Sequence, residues 1–264
     1  MDILKKKLAP ISDKAWEEIN EQAQDVFNTD LSARKFVDVD GPHGLELGSV
    51  SRGRLEVPKA QDEEGLEYGL YKVMPLVETR SKFELDLWEL DNADRGAEDI
   101  DLESLEKAAK RMARFEENVI YEGLKNAGIT GLKSRSEHEK VEFPEDPSKI
   151  LHAVTRAISM FKSASVEGPY SLVLDIDKWE KVSSYVGDYP LRLQLENLLD
   201  GKIILAPNLN GALLVTERGG DFRLTLGQDL SIGYESHDSR NVQLFFTESF
   251  TFQVLDPAAV INIG

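Results

Sequence analysis

Carboxylates on a long predicted helix are the residues of this sequence best placed for metal chemistry. Glu116, Glu117 and Glu122 lie close together there, and glutamates on helices can bridge iron ions. Such sites also need a histidine three residues after a glutamate, so that both ligands share one helix face. None of the four histidines has a glutamate at that spacing. The three glutamates are therefore interpreted as a solvated helix face, and no metal site is predicted.

Nucleophilic and phosphate-binding chemistry has no motif in the sequence either. A GxxxxGK[ST] loop, a GxGxxG turn and a GxSxG elbow are absent, and Gly219-Gly220 is interpreted as a turn between strands. Asp175 and Asp177 could form a divalent-ion pair, but without a third ligand they are interpreted as a strand end running into solvent. The chain has no cysteine, which excludes thiol nucleophiles. No catalytic residue is predicted, and an enzyme that acts alone is disfavoured.

Charge and hydrophobicity limit the possible partners. The 264 residues carry a net charge of −17 at pH 7, and 41% of them are hydrophobic, which is enough for a substantial core. Excess negative charge repels phosphate, so nucleic acid and anionic membranes are disfavoured as partners. The dense basic run Lys5–Lys7 is interpreted as a solvated or contact-forming arm. The apolar residues before Pro10 are too few for a signal peptide or a membrane span, so a cytoplasmic protein is predicted.

Two helices are predicted in the first half of the chain. Apolar residues recur every three or four positions from the N-cap Ser12 to Asn28, which predicts an amphipathic helix. The same period runs through the segment 101–127, with Asp101 or Ser104 as the cap. This longer helix is predicted to end at residue 127 because a glycine follows.

Strand patterns occupy much of the remaining chain. Residues 47–76 mix turn formers with short β-prone runs, which predicts a long two-stranded excursion. The stretch SKFELDLWELDN alternates apolar and polar residues and predicts a strand up to about Trp88. Between Pro147 and Pro207, helix patterns over 150–161 and around LRLQLENLL alternate with strand patterns at YSLVLDI and KIILAP. A further strand is predicted at ALLVTE, and the tail is β-prone throughout. The fold class is therefore predicted to be α+β.

Several separate segments follow one another in an order that is specific to one family. They are RKFVDVDGP, FELDLWELDN, FEENVIYEG, EGPYSLVL, RGGDFRLTLGQDLSIGYES and ESFTFQVLDPAAV. In this order, along nearly the full length, the chain resembles the encapsulin family of bacterial and archaeal nanocompartment shell proteins. The resemblance implies the HK97 phage-capsid fold, with a peripheral domain, an extended loop that overlaps a neighbour, and an axial domain at the fivefold vertex.

The resemblance also divides the chain into the regions of that fold. Residues 1–46 form an N-terminal helix and arm of the peripheral domain, 47–76 the extended loop, and 77–130 the part of the peripheral domain that holds the spine helix. Residues 131–219 form the axial domain, and 220–264 form the β-region of the peripheral domain. An isolated pair of strands is marginal in water, so the extended loop is expected to pack on a neighbouring subunit.

A cargo-binding groove is the main functional site that the resemblance implies. Members of the family assemble into closed icosahedral shells, and the smaller members form shells of sixty subunits. The shells enclose a dye-decolourising peroxidase or a ferritin-like iron oxidase, and their roles are in oxidative stress or iron storage. A C-terminal peptide of the cargo lies in an apolar groove of the shell. The residues implied for the groove are Phe27, Arg34, Asp38, Leu230, Ile232 and Tyr234. Because such a wall takes alternate side chains of an extended peptide, Ile232→Asp is predicted to abolish loading and to leave assembly intact.

Two weaker implications and one alternative accompany the groove. The loop YVGDYP should ring the fivefold axis, with Gly187, Asp188 and Tyr189 at a pore that favours cations. Some relatives hold a flavin near the tryptophan matched here by Trp88, although packing is the commoner role of a tryptophan on a strand. No other cofactor is expected. The close alternative is a phage or prophage capsid protein of the same fold, whose contents would be DNA.

Overall fold

The computed structural model describes residues 3–58 and 66–264 of the chain. Within these ranges the helices are α1 Asp13–Asp30, α2 Leu87–Arg95, α3 Glu103–Tyr121, α4 Leu132–Arg135, α5 Ile150–Ser163, α6 Ile176–Ser184 and α7 Leu191–Leu199. The strands are β1 Asp38–Asp40, β2 Ser49–Glu56, β3 Leu70–Pro75, β4 Val77–Asp86, β5 Gly123–Leu124, β6 Ile129–Thr130, β7 Tyr170–Leu174, β8 Ile203–Leu205, β9 Ala212–Thr216, β10 Phe222–Leu226, β11 Ser231–His237, β12 Asn241–Val254 and β13 Val260–Ile263. Residues 59–65 of the predicted excursion lie outside the described residues.

The largest sheet is built around β12, which is 14 residues long and has neighbours along both edges. β4 pairs antiparallel with one edge, and β10 and β11 pair antiparallel with successive parts of the other. β1 lies parallel to β10, and β11 ends the sheet on its side. Phe246, Phe250 and Phe252 lie on one face of β12 and are buried, which explains why this β-prone segment forms the central strand.

Helices α1 and α3 pack together with this sheet around one apolar cluster. The apolar positions of the predicted first helix are the buried ones, Ala23 among them, and Ser12 accepts a hydrogen bond from the Ala15 N–H at 3.2 Å as the N-cap. Phe27 of α1 meets Phe246 edge to face, with ring centroids 5.3 Å apart. The prediction of the first helix is confirmed, and its packing brings α1 beside the start of β11.

A second sheet, in the order β13-β9-β7-β8, contains the region where helix and strand patterns alternate. Helices α5 and α7 pack against it. The sequence predicts these two helices and the strands β7, β8 and β9, and the structure confirms them. The structure differs at the end of the predicted region 220–264, because β13 pairs with β9 and buries Val260 and Ile261 in this second sheet.

Two boundaries predicted from periodicity are wrong because local backbone chemistry overrides the pattern. The strand predicted up to about Trp88 ends at Asp86, whose carboxylate accepts a hydrogen bond from the Trp88 N–H at 2.8 Å and begins α2. The long helix spans Glu103–Tyr121 rather than 101–127, since Gly123 takes a φ of +91° and turns the chain into β5. Trp88 therefore lies on a helix and not on a strand.

The aspartates considered as an ion pair belong to a helix start. Asp175 accepts hydrogen bonds from the Lys178 N–H at 2.9 Å and from the Gly211 N–H at 2.8 Å, and it caps α6. Asp177 lies in the first turn of the same helix. Asp175 does follow the end of β7, but the chain does not run on into solvent there, because this capping begins a helix that the periodicity did not indicate.

The predicted excursion is present as an antiparallel arm made of β2 and β3. Most of its side chains are exposed, and these include the apolar residues Leu55, Leu70, Tyr71 and Val73. Met74, near the base of the arm, is buried. Tyr71 and Val73 lie on one face of the arm and Leu70 on the other, so both faces expose apolar side chains.

Candidate functional site

A groove of about 540 Å³ lies between α1 and the start of β11. Its helical wall includes Ala23 and Phe27, and its strand wall includes Leu230 and Ile232. Ile232 is only 4% exposed and packs with Phe246, whereas Leu230 is half-buried. The groove therefore has a buried apolar floor and two partly accessible apolar side chains, Phe27 and Leu230.

The structure brings together four of the six residues predicted for this groove. They are Phe27, Arg34, Leu230 and Ile232. Asp38 lies elsewhere, on β1, where its Oδ2 accepts a hydrogen bond from the Gly220 N–H at 2.6 Å. Tyr234 does not line the groove, and its hydroxyl lies 2.7 Å from Nδ1 of His237. Asp38 is separated from the groove because β1 pairs with β10, at the other end of the sheet from β11.

Arg34 forms the polar end of the groove, and its side chain is 19% exposed. Its guanidinium donates to Glu116 twice, from Nε to Oε1 at 2.9 Å and from Nη2 to Oε2 at 2.6 Å. Nη2 also donates to Glu248 at 2.6 Å, and Nη1 donates to Asp229 at 3.0 Å. The arginine thereby connects the residues after α1 with α3, with β12 and with the loop before β11.

Two buried carboxylates face this single cation. Burial opposes the charge of Arg34, but the hydrogen bond and charge of Glu116 raise its pKa above the ordinary value. Burial and the charge of Glu116 raise the pKa of Glu248 well above its ordinary value, and Oε2 of Glu248 has no hydrogen-bond partner among the described residues. One guanidinium thus faces two buried carboxylates, and burial favours the neutral form of Glu248. Glu116 receives the two-point contact from the guanidinium.

Glu117 holds the turn that follows α1. Its Oε1 accepts a hydrogen bond from the Ala33 N–H at 2.9 Å, and its Oε2 accepts one from the Ser32 hydroxyl, which also lies 2.7 Å from the Tyr121 hydroxyl. Burial raises the pKa of Glu117 to about 7, the hydrogen bonds from Ser32 and Ala33 oppose the rise, and the charge of Glu116 adds to it. The prediction that Glu116 and Glu117 form a solvated face is wrong, because this turn packs over them and supplies their donors.

We expect Glu117→Gln to raise the free energy of unfolding above that of the parent at pH 8, and to raise it less at pH 5. A carboxyl whose pKa rises from 4.5 to about 7 on folding contributes stability below pH 4.5, and that contribution is lost as the pH rises through 7. The loss is about 3 kcal/mol, and the neutral amide avoids it while keeping an acceptor for the Ala33 N–H. Urea unfolding at pH 5 and pH 8 checks this, with the exposed change Glu103→Gln on the same helix as the control. If the free energies of unfolding of variant and parent differed by the same amount at both pH values, the prediction would be contradicted.

The residues predicted for a pore lie on the loop between α6 and α7. Gly187 takes a φ of +50°, and a Cβ atom there would lie 3.2 Å from the Tyr185 ring. Asp188 is exposed and Tyr189 is 50% exposed. The Tyr189 carbonyl oxygen accepts a hydrogen bond from the Gln194 side chain at 2.8 Å. The loop is thus an exposed tip that α7 holds in place.

Trp88, the residue considered for a flavin contact, is 71% exposed on the first turn of α2. The cleft beside it is lined by carboxylates, among them Glu84, Glu89 and Glu103, and by one cationic side chain, Arg95. Carboxylates repel the phosphate of a flavin nucleotide. The residues of this chain therefore do not fit that cofactor, and no chemistry is derived from it.

Two other kinds of site are absent from the part of the chain that the structure describes. Residues 3–58 and 66–264 contain no group of three or more histidine, aspartate or glutamate side chains placed to hold a metal ion. The helices in these ranges lack the combination of length and hydropathy that crossing a membrane requires. The buried carboxylates near the groove have a guanidinium as their cation.

Sequence reasoning misses the carboxylates that hold Arg34, although a signal for them exists. Glu116 lies four residues after Met112 and three before Val119, which places it on the apolar face of its helix. Glu248 likewise alternates with the apolar positions of β12 and shares their face. A charged residue at a core position predicts a buried ion pair. Nothing in either pattern indicates which cation completes the pair.

Comparisons with known proteins concern the chain as a whole. Residues 1–251 match a family model described as an encapsulating protein for peroxidase. A type 1 encapsulin shell protein of Mycolicibacterium paratuberculosis is 41% identical, over 100% of this chain and 99% of the relative. A type 1 encapsulin shell protein of Rhodococcus erythropolis is 39% identical, over 100% of both chains.

Solved structures share the fold at lower identity. The virus-like particle from Pyrococcus furiosus has a TM-score of 0.67 and 19% identity, and the match covers 94% of this chain and 99% of the other. The capsid of Myoviridae phage XM1 has a TM-score of 0.58 and 12% identity, and the match covers 88% and 91% of the two chains. The predicted α+β class and HK97 phage-capsid fold are thereby confirmed. Because the family model matches nearly the whole chain and full-length relatives are about 40% identical, the chain belongs to the encapsulin family of shell proteins.

Proposed function

We propose that this chain is one subunit of a closed icosahedral shell and that the groove between α1 and β11 binds a C-terminal peptide of a guest enzyme. The observation that carries the proposal is a groove with an apolar floor and a polar rim, found on a chain whose family model is described as encapsulating peroxidase. A dye-decolourising peroxidase is therefore the first guest to test, and a ferritin-like iron oxidase is the second. In this proposal the shell subunit performs no catalysis, in keeping with relatives that are named as shell proteins.

The groove suits an extended peptide with apolar side chains at alternate positions. Phe27 and Leu230, which are both half-buried, provide accessible apolar surface for such side chains. The guanidinium of Arg34 is bonded to three carboxylates of its own chain, so it has little capacity left for a guest. Polar contacts with the peptide are accordingly assigned to Lys35 and Asp229, which also line the groove.

Assembly into a shell explains the exposed arm. Leu70, Tyr71 and Val73 leave a large apolar surface in water unless another subunit covers them. A sixty-subunit shell would give every arm an equivalent neighbour, since closed symmetry repeats one contact throughout. We place the shell in the cytoplasm as part of the same proposal, because guest and shell must meet before the shell closes.

Co-expression and electron microscopy test the proposal. The chain is produced with a dye-decolourising peroxidase that carries its C-terminal tail or lacks it, and the purified particles are imaged. We expect closed particles in both cases and co-purified peroxidase only when the tail is present. Unassembled protein, or equal capture of both guests, would contradict the proposal. Particles filled with DNA would instead support a phage capsid of the same fold.

The proposed shell includes a pore formed by the loop between α6 and α7. We expect Asp188→Lys to slow the entry of Fe²⁺ into shells that hold an iron-oxidising guest by about tenfold, because a ring of lysines repels cations where carboxylates attract them. Stopped-flow absorbance of iron oxidation measures the rate. Glu180→Lys, an exposed change on α6 outside the loop, is the matched control. Equal rates for Asp188→Lys and the parent would rule out this pore.

A further inference from the structure

The outer edge of β11 is partly occupied by the chain's own N-terminal residues. β11 is the last strand of its sheet, so one of its edges has no neighbouring strand. The Tyr234 N–H donates a hydrogen bond across this edge to the Leu4 carbonyl oxygen at 2.7 Å. Residues Ile3–Leu8, here called the N-terminal strap, therefore lie along the strand that forms one wall of the groove.

The N-terminal strap also contacts the opposite wall. Lys6 lines the groove, and its Nζ lies 5.2 Å from the centroid of the Trp16 ring on α1. A cation at this distance over an indole is attracted to the ring. With Leu4 on β11 and Lys6 on α1, the strap crosses from one wall to the other and closes one end of the groove.

The register of the sheet shows which other backbone groups face the outer edge of β11. Tyr234 faces Leu244, and Ile232 faces Phe246, two residues along on each strand. Groups two residues apart in a strand point the same way, so the Ile232 N–H and carbonyl face the same outer edge as the Tyr234 N–H. No backbone bond to Ile232 from outside the sheet is present among residues 3–58 and 66–264.

We propose that the N-terminal strap sets how far a guest peptide can extend along β11. The peptide adds to the edge as an extended strand, pairs through its backbone with Ile232, and stops where Leu4 occupies Tyr234. This inference rests on the proposed function, because it assigns the peptide to the same groove. It adds a recognition mode, strand addition, and a limit on length that the chain itself imposes.

The partner that fits this edge is a short peptide in which apolar and small polar residues alternate. Backbone bonds at Ile232 hold the peptide without regard to its sequence, and the apolar floor selects the side chains that point inward. A peptide that continues past Ile232 has to displace the Leu4 carbonyl oxygen from Tyr234, so its additional residues gain no net backbone bond.

Peptide length is the variable that tests the inference. Two fluorescein-labelled peptides of alternating serine and leucine, five and nine residues long, are titrated by fluorescence polarisation into parent shells and into shells with residues 3–8 deleted. We expect both peptides to bind the parent with similar affinity. Deletion should tighten binding of the longer peptide about tenfold and leave the shorter one unchanged, because the freed Tyr234 edge adds backbone hydrogen bonds. The double variant Lys5→Ala, Lys7→Ala keeps the strap and should behave as the parent.

Hydrogen exchange provides a readout that needs no guest. Deleting residues 3–8 should accelerate exchange at the Tyr234 amide at least about tenfold and leave the Ile232 amide unchanged. Unchanged exchange at Tyr234, or a longer peptide that binds the parent tighter than the shorter one does, would overturn the inference while leaving the guest groove intact. Failure of both peptides and of a tailed peroxidase to bind any of these shells would overturn the groove assignment together with the inference.

Discussion

Replacing Arg34 with methionine will lower the free energy of unfolding by about 3–5 kcal/mol at pH 8, which is the usual cost of removing one partner from a buried ion pair. Methionine fills a similar volume, so the effect comes from charge rather than from a cavity. Glu116 and Glu248 would be left buried beside each other without a cation. The loss should be smaller at pH 5. Burial raises the pKa of Glu248 and the charge of Arg34 opposes that rise, so without Arg34 the carboxyl takes up a proton on folding, and this costs less at low pH.

Neutralising the carboxylates should rescue this variant. The triple change Arg34→Met, Glu116→Gln, Glu248→Gln removes the guanidinium and both carboxyl groups, and we expect it to recover most of the lost free energy. Urea unfolding followed by tryptophan fluorescence at pH 5 and pH 8, at equal protein concentration, measures each variant. Arg114→Met, an exposed arginine on α3, is the matched control. If Arg34→Met and the control were equally stable, Arg34 would not be the cation that stabilises this cluster.

Leu230→Asp will reduce guest loading by about 10- to 100-fold while closed particles still form. The change places a charge against the apolar peptide side chains, and such a charge cannot remain hydrated in a filled groove. Because Leu230 is only half-buried in the free subunit, the same charge stays in contact with water until the guest binds. Loading is measured as the ratio of guest to shell protein after co-expression and purification.

The sequence-based choice of Ile232→Asp for this experiment is less suitable. Ile232 is 4% exposed and packs with Phe246, so an aspartate there would be buried without a partner and would destabilise the subunit itself. The expectation that assembly stays intact in that variant is therefore withdrawn. Ser236→Asp, which adds the same charge at an exposed position of β11, is the control for Leu230→Asp. Normal loading of Leu230→Asp shells would remove the groove from the proposed function.

Elements with a strong local pattern are predictable from this sequence. The first helix follows from apolar spacing and from the cap Ser12, and both are local properties of neighbouring residues. Elements whose boundary depends on one competing interaction are not. The residues before Trp88 alternate like a strand, yet the Asp86 carboxylate binds the next turn and begins a helix.

The candidate site shows the same limit at longer range. The resemblance to one family led to Phe27, Leu230 and Ile232, which line the groove, and two of them, Leu230 and Ile232, belong to a segment that carries the resemblance. It also placed Asp38 in the groove, which the order of strands in the sheet prevents. The resemblance placed Arg34 at the groove, but it did not predict which carboxylates bind its guanidinium.

By itself, the sequence determined the α+β class, most helices and strands, and the family to which the chain belongs. Only the tertiary structure decided that Arg34 lies between Glu116 and Glu248, which are 82 and 214 positions away, and that Leu4 occupies the edge of β11 at Tyr234. The physical reason is that periodicity depends on neighbouring residues, whereas burial and pairing of a charge or of a strand edge depend on which distant segments pack together.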